Sequence, residues 1–321
     1  MPNGVICRYA TLIKKGTTMK TVDIGKLGKI NASQIALGCM RISGMNKTDA
    51  KRLIDTAIDC GINFFDHADI YGGGQSEEVF AEAFDGKRDS VFIQSKCGIR
   101  SGFFDFSKEH IVASVEKSLK RLKTDYLDLL LLHRPDTLME PEEVAEAFTE
   151  LEKSGKVRFF GVSNQNPGQM ALMQKYMGQK LVANQLQFGL AHTGMIDSGL
   201  TVNMKHENGI NRDGGVLEYC RLNDITIQAW SPLMYGFFEG IFIGSDKYQK
   251  LNEELERLGN EKGVSASAMA IAWILRHPAK IQAIIGTTKP ERVKDYATAA
   301  NVELSREEWY TLYKAAGNIL P

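Results

Sequence analysis

The sequence predicts an α/β chain folded as a (β/α)8 TIM barrel. Three observations carry this. Short, nearly continuous apolar runs recur along the chain, longer segments with helical spacing separate them, and the alternation repeats eight times. The runs lack the in–out alternation of half-exposed strands, as expected of parallel strands buried on both faces. An open doubly wound sheet is the alternative. A length of 321 residues suits one such barrel or two modest domains.

Residues 1–18 show no strand or helix pattern that joins the repeat, and are expected to lie outside the fold as an extension; residues 19–321 then form one domain. The strand-like "MKTVDIG" from Met19 opens an N-terminal β-hairpin. The barrel runs are "IALGCM" (35–40), "INFFDHA" (62–68), "VFIQSKCG" (91–98) and "YLDLLLLH" (126–133), then "VRFFGVSN" (157–164), "LVANQLQF" (181–188), "ITIQAWSPL" (225–233) and "IQAIIGTT" (281–288). After the first run, "TDAKRLIDTAIDCG" reads as a helix with a Thr cap and a stop at Gly61. "SKEHIVASVEKSLKRLK" has Ser107 at its cap and Ile111, Val115, Leu119 and Leu122 on one face. "EPEEVAEAFTELEKSGK" places Pro141 and acids in its first turn and Gly155 beyond its last. A mostly apolar helix, "VSASAMAIAWILRHP", precedes the eighth strand. Extra helices are expected after strand seven (246–259) and at the C-terminus (305–317). The long connection 189–214 and the segment "MYGFFEG" (234–240) are expected to shape a pocket.

Bulk properties exclude several function classes. Lys+Arg and Asp+Glu both number 39, so nothing favours nucleic acid or an acidic membrane surface as a partner. No apolar run is long enough to span a bilayer. The five cysteines are scattered without a C-x-x-C pair, which argues against zinc ribbons and dithiol motifs and for a reducing, cytoplasmic compartment. There is no H-E-x-x-H, P-loop, helix-opening G-x-G-x-x-G or G-x-S-x-G. The histidines have no metal-ligand spacing, and no metal is expected.

Chemistry in a barrel sits at the C-terminal strand ends. There the sequence offers Asp66 with Tyr71, Lys96 and His133 on three neighbouring strands. A phenol near pH 7 is a poor acid, with a pKa of about 10. A neighbouring ammonium would lower that value, a carboxylate would fix the ammonium, and an imidazole would orient a substrate oxygen. Each residue alone also fits packing or loop capping; Lys96, ending an apolar run, most needs a partner. His67, next to Asp66, should face the other side of its strand. Asp69 reads as a solvated loop residue.

Seven segments, "GINFFDHADIYGGGQSEE", "IQSKCG", "YLDLLLLHRPD", "GVSN", "NQLQF", "AWSPL" and "IIGTTKPERVKDY", resemble in order the signature segments of the aldo-keto reductases, closest to a bacterial oxidoreductase branch with "DHADIYG". The resemblance implies a barrel that binds NADP(H) at its mouth and reduces small carbonyl substrates. It assigns catalysis to Asp66, Tyr71, Lys96 and His133, and the nicotinamide carboxamide to Ser163, Asn164 and Gln185. Trp230 falls against the nicotinamide face, Ser231 and Leu233 at the pyrophosphate, and Gly286, Thr287, Thr288, Lys289 and Arg292 at the adenosine phosphate. With Thr288 as helix cap, Lys289 and Arg292 favour NADP(H) over NAD(H). Gly286 lacks the basic side chain many members carry there. A cofactor-binding redox sensor with slow reductase chemistry is the alternative function, and a metal- or acid-assisted isomerase or hydrolase is a third.

Overall fold

The computed structural model describes residues 19–321; the expected extension, residues 1–18, lies outside the described residues. A hairpin of β1 (Thr21–Asp23) and β2 (Asn31–Ser33) precedes the barrel. The barrel strands are β3 (Ile35–Gly38), β4 (Phe64–Asp66), β5 (Phe92–Cys97), β6 (Leu127–Leu132), β7 (Val157–Ser163), β8 (Leu181–Gln187) and β9 (Thr226–Trp230). A short hairpin of β10 (Met234–Tyr235) and β11 (Gly240–Ile241) follows, and β12 (Gln282–Ile285) is the eighth barrel strand. All barrel pairings are parallel, and β12 closes the ring by pairing with both β9 and β3.

The helices alternate with these strands: α1 (Lys47–Asp59), α2 (Gln75–Ala83), α3 (Lys108–Leu122), α4 (Pro141–Lys153), α5 (Pro167–Tyr176), α6 (Gly194–Leu200) and α7 (Val216–Leu222). Then come α8 (Gln249–Lys262), α9 (Ala266–Leu275), α10 (Pro290–Ala297) and α11 (Arg306–Ala315). The extra elements after the seventh strand and at the C-terminus are thus α8 and α11. Trp273 of α9 stacks on Trp309 of α11 at 4.7 Å, and each indole N–H donates to the other's backbone carbonyl, which fastens α11 to the outer layer. Among the described residues no helix is long and apolar enough to cross a membrane.

Two helix caps differ from the sequence reading. Helix α1 is capped by Asn46, whose Oδ1 accepts the Asp49 N–H at 2.9 Å; the expected Thr already lies in the first turn. Helix α10 is preceded by Lys289 in an extended conformation rather than by a Thr288 cap, and Thr287 Oγ1 accepts the Lys289 N–H at 3.1 Å. In both places the cap is set by which residue leaves the extended backbone, which composition alone does not decide.

The period of two along each strand sorts side chains between two compartments. Ile35, Leu37, Phe65, Ile93, Leu130, Leu132, Phe160, Val162, Ile227 and Ala229 face the helices and join the large outer core. Ala36, Phe64, Leu129, Leu131, Ala183 and Ile284 face inward and meet Val22, Ile24, Ile30 and Ala32 of the hairpin, which floors the barrel. Gly25 in that floor has φ +71°, and a Cβ there would lie 2.6 Å from Val182. The same parity turns Asp66, Lys96, Ser163, Gln185 and Trp230 into the barrel, above the apolar floor.

Candidate active site

Lys96 is 1% exposed, and an ammonium so buried needs every donor satisfied. It reaches Asp66 Oδ1 at 2.7 Å, the His67 carbonyl at 2.8 Å and the Tyr71 hydroxyl oxygen at 3.1 Å. Asp66 Oδ1 also accepts from the amides of Gln94 and Gln185. The Gln185 amide further donates to Gln228, that of Gln228 to Gln282, and that of Gln282 to the Ser33 carbonyl. A chain of glutamines therefore ties the ion pair to the barrel floor. Because an ammonium can only donate, Tyr71 accepts from Lys96 and keeps its own O–H for the cavity above.

His133 ends the next strand, with its backbone N–H on the Cys97 carbonyl at 2.9 Å. Its ring stands edge-on to Tyr71 at 5.9 Å, and its buried Nδ1 has no hydrogen-bond partner. Burial, then Lys96 and Arg134, hold its pKa well below the ordinary imidazole range, so the ring is neutral near pH 7. For Lys96, burial opposes the charge, but Asp66 and Tyr71 outweigh it and the pKa rises. The phenol departs from the sequence expectation. Burial raises the Tyr71 pKa, Lys96 lowers it, Asp66 raises it, and the net direction is upward. Lys96 limits the rise rather than reversing it.

Tyr71 and His133 open into a cavity of about 320 Å³ at the C-terminal mouth of the barrel. Of the residues assigned from sequence, Asp66, Ser163, Asn164, Gln185, Trp230, Ser231, Leu233, Gly286, Thr287 and Arg292 also line it; Lys96 lies beneath Tyr71, and Thr288 and Lys289 stand outside. Asn164 and Ser231 both adopt positive φ, +58° and +50°, uncommon for residues with a Cβ and frequent at ligand sites. The Asn164 amide donates to Ser163 Oγ at 2.8 Å, and its carbonyl oxygen accepts the Trp230 indole N–H at 3.1 Å. Phe238 stacks on Trp230 at 5.8 Å and Phe237 meets it edge-on at 6.4 Å. The "MYGFFEG" segment thus lines the cavity, whereas residues 189–214 do not; Asp197 in that connection instead accepts from Tyr313 of α11 at 2.7 Å.

Two cations went unassigned in the sequence. Arg41, just past the first barrel strand, lines the cavity and donates to the Gly286 carbonyl at 3.0 Å. It brings a charge to the place where Gly286 has none. Arg134 follows His133 and lines the cavity beside Trp230. Both are basic residues adjoining a strand end, which is the one signal that could have marked them.

Behind the strands lies a second polar cluster. His67 faces outward as expected, buried edge-on against Phe80 at 4.7 Å, with neither ring nitrogen hydrogen-bonded. Glu77 is fully buried and accepts from Arg121 at 2.7 Å and Ser95 at 2.6 Å. Asp69 is not a solvated loop residue. Its Oδ1 is buried, and burial, followed by Glu77, pushes its carboxyl up to about 6. The residues that enclose it come from α2 and α3.

The sequence profile of the aldo/keto reductase family matches residues 34–316, and the chain belongs to that family of NAD(P)-dependent oxidoreductases. It is 38% identical over 301 residues to the uncharacterized oxidoreductase YcsN of Bacillus subtilis, covering 88% of this chain and 94% of the relative. It is 37% identical to the 6-dehydroglucose reductase of Agrobacterium fabrum, over 90% of this chain and 95% of that one. The solved structure of an aldo-keto reductase from Klebsiella pneumoniae in complex with NADPH is similar, with a TM-score of 0.76 and 25% identity over 95% of this chain and 98% of that one.

His67 generates a test of the burial argument. Burial first, and Lys96 second, lower its pKa to about 3. An unfolded imidazole titrates near 6.5, so the unfolded chain binds a proton as pH falls from there while the folded chain does not. Stability should therefore be full above that value and decline toward about 3. From about pH 8 to about pH 5 the His67 contribution lost is about 2 kcal/mol. Urea unfolding of wild type and His67→Leu at both pH values checks this: the difference in stability between the two pH values should shrink by that amount in the variant. An unchanged difference would show that the imidazole is not held neutral.

Proposed function

We propose that this chain reduces small aldehydes or ketones to alcohols with NADPH, Tyr71 supplying the proton. The observation that carries the reading is the Tyr71 hydroxyl, which accepts from Lys96 and lines the cavity beside His133, leaving its own O–H free to donate. When bound, NADPH supplies hydride to the carbonyl carbon. Tyr71 gives its proton to the oxygen that gains charge, and Lys96 steadies the phenolate left behind. The neutral imidazole of His133 holds that oxygen by a hydrogen bond. Asp66, by fixing Lys96, keeps the ammonium within reach of the phenol.

The lining fits the cofactor. Trp230 offers an aromatic face, and Ser163, Asn164 and Gln185 offer the hydroxyl and amide groups that a carboxamide requires. Those same groups now bond one another and Asp66, so they would exchange these partners on binding. Ser231 and Leu233 offer backbone to the pyrophosphate. Gly286, Thr287 and Arg292 line the cavity toward the adenosine phosphate end, with Thr288 and Lys289 beyond its wall, and Arg41 adds a further cation there. Solved relatives from Klebsiella pneumoniae hold NADPH or NADP, which supports NADP(H) as the cofactor here. Relatives named 6-dehydroglucose reductase support carbonyl reduction. Residues 19–321 then form the whole catalytic domain, with 1–18 dispensable to it.

Tyr71→Phe keeps the ring and removes the acid. Turnover of a generic aldehyde should fall by roughly 10²–10⁴, with NADPH affinity nearly unchanged. Turnover like wild type would sink the assignment. Tight NADPH binding with negligible turnover in the wild-type protein would favour redox sensing instead.

Arg292 lines the cavity and can make paired hydrogen bonds to the 2′-phosphate, which NADH lacks. Arg292→Ala should lower kcat/KM for NADPH by roughly tenfold to hundredfold, the loss of about 1.5–3 kcal/mol for a charge-assisted contact. NADH should be nearly unaffected. Equal losses with both cofactors would assign Arg292 to the adenine or to the fold.

A further inference from the structure

Among the described residues, one cation of the cavity has aromatic neighbours but no acceptor for its hydrogen bonds. Arg134 is half-buried at the wall, directly after His133, and Pro135 confines its backbone to extended conformations. Its guanidinium lies 5.8 Å from the Trp230 ring centre and 5.6 Å from that of Phe237. Among the described residues it has no ion pair and no hydrogen bond. The neighbouring acid, Asp136, is engaged elsewhere: its two oxygens accept the Phe106 and Leu138 N–H groups at 2.9 Å each. Asp66 is neutralised by Lys96. The Tyr71 phenol and the His133 imidazole line the same cavity and feel the Arg134 charge.

Arginine stays charged at any working pH, and its five donors form a planar fork suited to carboxylates and related oxyanions. Aromatic faces steady such a cation and fix its plane, but they accept none of those hydrogen bonds. A guanidinium partly withdrawn from water, aromatic-flanked and unpaired beside the reacting phenol leaves an anion site incomplete. We propose that Arg134 is a specificity residue that binds an oxyanion on the substrate, so that the preferred substrates are small carbonyl compounds carrying a carboxylate or similar anion a few bonds from the carbonyl. This rests on the reductase reading above and adds the substrate class. It is separate from the cations at the phosphate end, Arg41 and Arg292, because Arg134 adjoins His133 and Trp230 instead.

The test compares two four-carbon aldehydes, succinic semialdehyde and butanal, which differ in a terminal carboxylate against a methyl. With saturating NADPH, the wild-type kcat/KM ratio should favour the charged substrate by roughly 10–100-fold, the size of a charge-assisted contact. In Arg134→Met the ratio should fall to about one, chiefly through KM of the charged aldehyde, and Arg134→Lys should retain part of it. A wild-type ratio near one, or a ratio unchanged in Arg134→Met, overturns the proposal while leaving the reductase reading intact. If neither aldehyde is turned over, the reductase reading fails, and calorimetry of succinate with the NADP⁺-loaded protein decides the anion site alone. Binding lost in Arg134→Met sustains it, and absent or Arg134-independent binding overturns it.

Discussion

The structure depends on one ion pair in the barrel interior, Lys96 with Asp66, set among buried glutamines above an apolar floor. Two charges withdrawn from water are tolerated only when their mutual attraction and every remaining hydrogen bond offset the lost hydration. Here each ammonium donor is used, on Asp66, on the His67 carbonyl and on Tyr71. The carboxylate takes two further amides, and the glutamine series carries the satisfaction down to the hairpin floor. Removing one partner of such a pair typically costs about 3–5 kcal/mol, because the other charge is stranded. The polar layer between apolar floor and open mouth therefore contributes to stability and, under the proposed function, to the chemistry.

Tyr71 must meet this pair from a loop, and the three glycines after it make that possible. Gly72, Gly73 and Gly74 all have positive φ, which lets the chain turn within one short 3-10 segment and enter α2. Gly74 packs against Arg121, where a Cβ would come within 2.8 Å of the side chain. Arg121 in turn pairs with buried Glu77 of α2, which also takes Ser95 from the strand that carries Lys96. The loop that carries the phenol and the strand that carries the ammonium are thus bound to one another from behind, through a network that never touches the cavity.

Much of this was legible in the sequence because the barrel has a simple arithmetic. Parallel strands read as continuous apolar runs, their C-terminal ends marked Asp66, Lys96 and His133, and the period of two turned His67 away from its neighbour Asp66. What the sequence hid was set by residues distant along the chain. Asp69 reads as a loop acid, yet Glu77 of α2 and Ser114 and Arg121 of α3 surround it. The upward net direction of the Tyr71 phenol comes from enclosure by several strand ends, a quantity that pairwise charge reasoning with Lys96 leaves out. Arg41 meets Gly286 only because the first and eighth strands are neighbours across the closure, 245 positions apart. Nothing in the sequence marks Arg134 as lacking an acid partner, because only the fold shows that the neighbouring acids are engaged elsewhere.

The central claim is that Lys96 holds down the Tyr71 pKa against the rise that burial imposes. The most direct measurement is the pH dependence of alcohol oxidation with NADP⁺, a direction in which, under the proposed function, the phenolate accepts the proton. In the wild-type protein the rate should rise with pH as Tyr71 ionises. Lys96→Met removes the cation that favours phenolate, while the Gln94 and Gln185 amides still hold Asp66. The account predicts a folded variant with lower activity whose rise is displaced to higher pH. A rise at the same pH in both proteins would contradict it.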